Sequence, residues 1–157
     1  MIRHIVAIDS QRGIAKNGVQ PWKIPEDEQY FQAQTKTHGG VVLMGRKTFA
    51  IIRHALAERE NFVLSRDANL QLVGATVVAD LQSFLETHDD VWIIGGAEIF
   101  AQTLAAADEL YITKIEADLG CDQFYPEYAD TFELVSQSPV ASQNGYKYAF
   151  CVYKRLK

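Results

Sequence analysis

Apolar and polar residues follow one another along the chain in short blocks that predict alternating strands and helices. Residues 2–8 are mostly apolar and β-branched, a pattern typical of a buried strand. The same pattern predicts further strands at residues 41–44, 61–65, 75–79, 91–94, 110–115, 132–140 and 146–154.

Helix starts are marked by residues that suit a first helical turn. Pro25 is tolerated there, and the three acidic residues at 26–28 favour a helix N-terminus, so a helix is predicted over residues 25–37. Asp80 is placed to cap a helix that ends at Thr87. Two more helices are predicted at residues 46–52 and directly after Gly95-Gly96.

This order of elements predicts an α/β fold with a mixed, mostly parallel central sheet flanked by helices, in one domain over residues 1–157. The last two strands are expected to form an antiparallel hairpin through Asn144-Gly145. Ligands bind such sheets beyond the carboxyl ends of the strands. We therefore expect the chemistry in the loops that follow Ile8, Met44, Leu64 and Ile94.

Composition narrows the class of protein. Apolar residues make up 48 % and charged residues 22 % of the 157 positions, as in soluble globular proteins that need no disulfide or metal to hold a core. A net charge of −5 argues against a nucleic-acid partner, and no apolar run has the length of a membrane span.

Cysteine and histidine positions predict neither an exported protein nor a metal site. The N-terminal strand is too short and too polar for a signal peptide, so Cys121 and Cys151 are expected to be structural thiols in the reducing cytoplasm. The four histidines are scattered without ligand spacing, and no metal-binding motif occurs.

Three segments at predicted strand ends could bind phosphate. Gly45-Arg46-Lys47-Thr48 combines a glycine turn, a helix start and two cations, although a solvated basic turn explains it equally well. Gly95-Gly96 would allow a ligand to approach the backbone, or simply make a tight turn. Ser65-Arg66 adds a hydroxyl and a cation, which favours NADPH over NADH.

Asp27 and Phe31 form a fourth candidate because residues four apart share a helix face. A carboxylate beside an aromatic ring can bind a flat heterocycle through its N–H groups. The alternative is an acid that only stabilises the helix N-terminus.

Together these segments resemble the bacterial dihydrofolate reductases over essentially the whole chain. The resemblance rests on motifs in the same order and spacing. They are Ile5-Val6-Ala7, Gly13-Ile14 through Gly18, Pro21-Trp22-x-x-Pro25-x-Asp27-x-x-x-Phe31, Met44-Gly45-Arg46-Lys47-Thr48-Phe49, Leu64-Ser65-Arg66, Ile94-Gly95-Gly96-Ala97-Glu98-Ile99-Phe100, Thr113 and residues 122–126.

The resemblance implies hydride transfer from NADPH to C6 of 7,8-dihydrofolate with protonation at N5. It implies catalytic roles for Asp27, Trp22 and Thr113, with water delivering the proton. Substrate contacts are implied for Ile5, Asp27, Phe31, Ile52, Leu56, Arg59, Ile94 and Thr113. Cofactor contacts are implied for Ala7, Ile14, Gly18, Gly45, Arg46, Lys47, Thr48, Ser65, Arg66, Gly95, Gly96, Ala97, Glu98, Ile99 and Phe100.

The expected partners are dihydrofolate and antifolate inhibitors, bound by a monomer, with no nucleic acid, membrane or metal. Residues 9–24 would close over the site as a gating loop. The alternatives are a related pterin or riboflavin-precursor reductase and a non-catalytic NADPH- or folate-binding protein. Asp27 and Arg59 argue against the first of these, and an assay with NADPH and dihydrofolate separates all three.

Several residues depart from the family pattern. Glu28 stands where the family usually has an apolar residue, and we hypothesise that it weakens diaminopyrimidine antifolates more than substrate. Ala15, Gln20 and Cys121 also differ from the usual residues around the gating loop. The chain could therefore be an essential reductase or a trimethoprim-resistant second copy.

Overall fold

A nine-stranded sheet crosses the molecule in the computed structural model, which describes residues 1–157. The strands are β1 (Ile2–Ile8), β2 (Gly13–Ala15), β3 (Val41–Gly45), β4 (Glu60–Leu64), β5 (Ala75–Val78), β6 (Val91–Ile93), β7 (Glu109–Ile115), β8 (Gln123–Phe124), β9 (Phe132–Gln137), β10 (Ala141–Gln143) and β11 (Tyr146–Arg155). The helices are α1 (Pro25–Thr35), α2 (Arg46–Ile52), α3 (Leu81–Thr87), α4 (Ala97–Thr103) and a 3₁₀ turn at Leu104–Ala106.

The sheet is mixed and mostly parallel, as predicted. Its order is β10-β11-β7-β1-β6-β3-β4-β5, with β9 also paired to β11. The six strands from β7 to β5 run parallel, whereas β11 is antiparallel to β7. The carboxyl ends of the six parallel strands therefore lie along one edge of the sheet. β1 lies between β6 and β7, near the centre of that edge.

The C-terminal hairpin is confirmed with one change. Asn144 and Gly145 have positive φ of 50° and 81°, as a two-residue hairpin turn requires, and they join β11 to the short strand β10. The predicted strand at residues 132–140 ends at Gln137, because Pro139 has no N–H to give to a ladder. Ser138 bridges the gap by accepting from the Phe150 N–H at 2.8 Å.

The loop between β1 and α1 contains strand β2, which the hydrophobic pattern did not predict. β2 pairs with β8, more than 100 residues further along the chain, to form a separate two-stranded sheet. Strands of two or three residues are too short to show a period of two.

Contacts with residues far away in the sequence hold helix α1 in place. Its N-cap residue, Ile24, has no side chain that can cap, and the Gln143 side-chain oxygen instead accepts from the Glu26 N–H at 2.8 Å. Tyr30 stacks on Phe150 of β11 with 4.1 Å between ring centroids.

None of the helices is both long and apolar enough to cross a lipid bilayer.

A buried polar chain connects β1 with α4 and with the segment after β8. The His4 Nδ1 lies 2.7 Å from the Tyr125 hydroxyl, and its Nε2 lies 2.8 Å from the Thr103 hydroxyl. Thr103 donates its own proton to the Ile99 carbonyl at 2.7 Å, so it accepts from His4. His4 is therefore neutral with its proton on Nε2, and burial lowers its pKa to about 3.

We expect Thr103→Val to lower the free energy of unfolding by about 1–3 kcal/mol, because it leaves the buried His4 N–H without an acceptor. Thr87→Val is the matched control, since Thr87 also ends a helix and donates to the carbonyl four residues earlier, but is exposed. Urea unfolding of both variants checks the expectation, and equal losses would contradict it.

Candidate active site

A cavity of about 570 Å³ opens where β1, β3 and β6 end, at the edge of the sheet where the sequence predicted the chemistry. Its lining combines apolar side chains with a few polar groups, as is typical of small-molecule sites. Of the predicted site residues, those that line it are Ile5, Ala7, Ile14, Gly18, Trp22, Asp27, Phe31, Thr48, Ile52, Leu56, Ile94, Gly95, Gly96, Phe100 and Thr113.

The other predicted residues lie outside this lining. They are Gly45, Arg46, Lys47, Arg59, Ser65, Arg66, Ala97, Glu98 and Ile99. Ile99 is buried in the main hydrophobic core, whereas Arg46, Lys47 and Arg66 are exposed at the starts of α2 and the loop after β4. The cations predicted for phosphate binding thus stand on the surface beyond the cavity.

Asp27 is the ionisable group that α1 places at the wall of the cavity. Its position in the first helical turn follows from Pro25, and its N–H donates to the Ile24 carbonyl at 3.0 Å. Thr113 reaches it from the neighbouring strand β7, where the hydroxyl donates to Asp27 Oδ1 at 2.6 Å. This hydrogen bond joins the helix to the sheet directly at the cavity.

Burial raises the pKa of Asp27 from its ordinary value of 3.8 to about 6. The hydrogen bond from Thr113 opposes this shift because it stabilises the carboxylate. The neighbouring charge of Glu28 adds to the shift. The side chain therefore changes its protonation state near neutral pH, which suits a group that handles protons.

Trp22 brings a second polar group to the same wall. Its side chain is buried, with 6 % of its surface exposed, and its Nε1 has no hydrogen-bond partner in the protein. A buried donor without a partner is costly unless water or a ligand accepts from it. The indole is thus placed to hold a molecule inside the cavity.

Gly95 and Gly96 expose the backbone beside Thr48. A Cβ at Gly96 would lie 3.5 Å from the Thr48 hydroxyl, and one at Gly95 would lie 3.6 Å from it. Gly95 has φ of 130°, which side-chain-bearing residues rarely adopt. The Gly45 N–H donates to the Gly95 carbonyl at 2.8 Å, so α2 and α4 begin side by side.

Arg59 lies against helix α1 near the cavity. Its guanidinium donates to Gln32 Oε1 at 2.7 Å and to the Thr35 hydroxyl at 2.9 Å. Gln32 itself lines the cavity. The Gln32 side chain therefore lies between the Arg59 guanidinium and the cavity.

Some lining residues were not among the predicted site residues. They are Val6, Ala15, Val19, Gln20, Glu28, Gln32, Ile51 and Gln123. Gln32 follows Glu28 by one helical turn, so helical spacing from Glu28 could have identified that face. Gln123 falls within the matched segment 122–126, but only the pairing of β2 with β8 shows that it reaches the cavity. No group of three or more His, Cys, Asp or Glu side chains is arranged to hold a metal ion.

Comparison with known proteins gives one consistent family. The family model described as dihydrofolate reductase matches residues 1–155. The chain is 35% identical to the dihydrofolate reductase of Bacillus subtilis (strain 168), covering 99% of this chain and 95% of that protein. It is 34% identical to dihydrofolate reductase type 3 of Salmonella typhimurium, over 100% of this chain and 99% of that protein.

A solved structure extends the similarity to three dimensions. The dihydrofolate reductase from Enterococcus faecalis, complexed with NADP(H) and RAB-propyl, superposes with a TM-score of 0.89. The two chains are 29% identical, and the match covers 100% of this chain and 97% of the other.

Because Asp27 binds its proton more tightly in the folded protein than in the unfolded chain, its ionisation costs stability. The stability that it contributes falls as pH rises from about 4 to its folded value of about 6, and it stays reduced above that pH. We expect Asp27→Asn to be more stable than the parent by about 1–3 kcal/mol at pH 8, with a smaller gain near pH 4.

Urea unfolding at both pH values measures this difference. Asp130→Asn provides the control, because it makes the same substitution at an exposed aspartate outside the cavity. A gain for Asp27→Asn that is the same at pH 4 and pH 8 would contradict the assignment.

Proposed function

The chain belongs to the dihydrofolate reductase family, and from this membership and the cavity geometry we propose how its side chains carry out the family's reaction. The protein catalyses the NADPH-dependent reduction of dihydrofolate to tetrahydrofolate. The observation that carries the assignment of roles is the buried Asp27 carboxyl, hydrogen-bonded to Thr113 at the wall of the cavity.

Asp27 binds the pterin ring of the substrate. The 2-amino and N3 edge of that ring presents N–H donors, and the Asp27 carboxylate is the acceptor placed to receive them. Thr113 keeps the carboxylate in place through its 2.6 Å hydrogen bond. The apolar side chains of Phe31, Ile52 and Leu56 pack against the flat rings and the aryl group that follows.

The substrate ends in a glutamate, whose carboxylate requires a cation. Arg59 is half-buried beside α1, and its contacts to Gln32 and Thr35 orient the guanidinium without neutralising it. Backbone carbonyls at Ile5 and Ile94, where β1 and β6 reach the cavity, complete the proposed substrate contacts.

Protonation at N5 depends on the charge of the site. A raised Asp27 pKa favours a complex that holds an additional proton near neutral pH, and water oriented by the Trp22 N–H passes it to N5. Asp27 therefore acts by anchoring the ring and by raising the proton affinity of the complex. The rate of hydride transfer should fall as pH rises through the apparent pKa of that complex.

The glycine-lined wall fits the cofactor. Gly95, Gly96 and Thr48 leave room for a pyrophosphate at the backbone, and Ala7 and Ile14 provide an apolar wall for the nicotinamide. NADPH supplies the hydride when bound. Arg46, Lys47, Ser65 and Arg66, with Gly18, Gly45 and the backbone at residues 97–100, would hold the remainder, including the 2′-phosphate.

In this proposal the active form is a monomer. Both cysteines are free thiols, in agreement with a reducing cytoplasm as the place of action. Residues 1–157 act as one catalytic domain in this proposal.

The direct test is oxidation of NADPH by the purified protein with dihydrofolate, 7,8-dihydropterin and a riboflavin-precursor aminopyrimidine as alternative substrates. We expect turnover with dihydrofolate to exceed turnover with the other two. Preference for another substrate would contradict the substrate assignment. Binding of NADPH without turnover would indicate a non-catalytic protein.

We expect Asp27→Asn to lower the single-turnover rate of hydride transfer at neutral pH by ~100-fold or more, because the amide cannot raise the proton affinity of the complex. Acidic solution should restore part of the rate by protonating the substrate directly. Glu26→Gln tests the same chemical change one residue earlier, at an exposed position, and should keep the parent rate. Full activity of Asp27→Asn at neutral pH would refute the role.

We expect Glu28→Leu to tighten binding of diaminopyrimidine antifolates more than binding of dihydrofolate, since leucine adds apolar surface to the rim of the cavity. Glu28→Gln is the control that removes the charge without adding that surface. The measurement is the inhibition constant and the substrate KM of the parent, Glu28→Leu and Glu28→Gln enzymes. Equal inhibitor affinity in the parent and Glu28→Leu enzymes would count against the hypothesis.

A further inference from the structure

Two opposite charges stand at the rim of the cavity beside Asp27. The Lys23 Nζ lies 2.6 Å from Glu28 Oε1, and both side chains are more than half exposed. Glu28 lines the cavity and follows Asp27 directly in α1. Lys23 precedes the helix, and its carbonyl accepts from the Asn144 side-chain amide at 2.8 Å, which fixes the backbone that carries the cation.

The hydroxyl groups that face Asp27 stay uncharged in the pH range where Asp27 titrates. Thr113 of β7 is a hydroxyl donor without charge. Burial raises the pKa of Tyr30 on α1 to about 12, and burial likewise raises the pKa of Tyr148 on β11. Glu26 and Glu28 are the adjacent acids on the helix itself, and of the two only Glu28 has a cation within salt-bridge distance.

We propose that the Lys23–Glu28 pair adjusts the working pH range of the reductase, with Glu28 acting on Asp27 through space and Lys23 partly cancelling the charge of Glu28. Both are positioning residues, since neither has to touch the reacting atoms. The inference rests on the role of Asp27 proposed above. It goes beyond that role because it assigns part of the control of the Asp27 proton affinity to a pair of exposed side chains.

The sign of each effect follows from Coulomb's law. A negative charge near Asp27 disfavours the carboxylate, and Glu28 accordingly raises the Asp27 pKa. A positive charge has the opposite effect, but Lys23 precedes the helix whereas Glu28 adjoins Asp27 on it. Because the Lys23 ammonium lies 2.6 Å from the Glu28 carboxylate, removing either charge leaves the other to act alone.

The test is the pH profile of single-turnover hydride transfer in Glu28→Gln, Lys23→Met and the double variant. Glu28→Gln should move the apparent pKa down by ~0.3–0.5 unit, because only the cation is left. Lys23→Met should move it up by a similar amount, because Glu28 is then uncompensated. The double variant should return close to the parent value, and high salt should shrink both single shifts.

A purely structural role gives a different pattern. If the pair only fastened the loop to α1, both single variants would break the same contact and would change the rate in the same direction without opposite pKa shifts. The Lys36–Glu58 pair is the matched control, with its Nζ 2.7 Å from Oε2 at the far end of α1. Nine residues of helix put Lys36 about 13 Å from Asp27, beyond the screening length at physiological salt.

Failure of this inference can be told apart from failure of the proposed function. If the parent enzyme shows the pH-dependent rate and Asp27→Asn moves that dependence to more acidic pH, the role of Asp27 holds. Unchanged or same-direction profiles for the two single variants would then overturn the pair alone. If Asp27→Asn keeps the parent profile, the proposed function of Asp27 is wrong and the inference falls with it.

Discussion

The hydrogen bond from Thr113 to Asp27 is the interaction on which the site depends. At 2.6 Å it connects the first turn of α1 to strand β7, so the carboxyl is held at the wall of the cavity. The stacking of Tyr30 on Phe150 and the hydrogen bond of Gln143 to the start of α1 hold the same helix on the sheet. An acid on a mobile loop could not keep one orientation toward a ligand.

Burying that acid has an energetic cost, and the proposed mechanism depends on the same burial. Desolvation moves its pKa to about 6, so the protein loses stability on the alkaline side in exchange for a group that responds to protons near neutrality. Thr113 limits the shift by stabilising the charged form, and Glu28 extends it. The proton affinity of the site is thus a balance among burial, one hydroxyl and one neighbouring charge.

Prediction from sequence succeeded where the pattern is local. The strand at residues 2–8, the start of α1 at Pro25, the Asp80 cap and the Asn144-Gly145 turn all have local physical causes, and the structure contains each of them. Pairing of β2 with β8 was missed, and with it the place of Gln123 in the cavity, because very short strands have no period to detect.

The amino-acid sequence by itself determined the family, and it singled out the carboxyl, indole and glycines that are proposed to do the chemistry, since motif order and spacing are properties of the chain. Only the tertiary structure decided their environments. Lys23 was not singled out, and the turning of Glu28 toward it depends on where the loop meets α1. Desolvation, hydrogen-bond geometry and ion pairing arise between residues distant in the chain, so they exist only once the sheet and helix have packed.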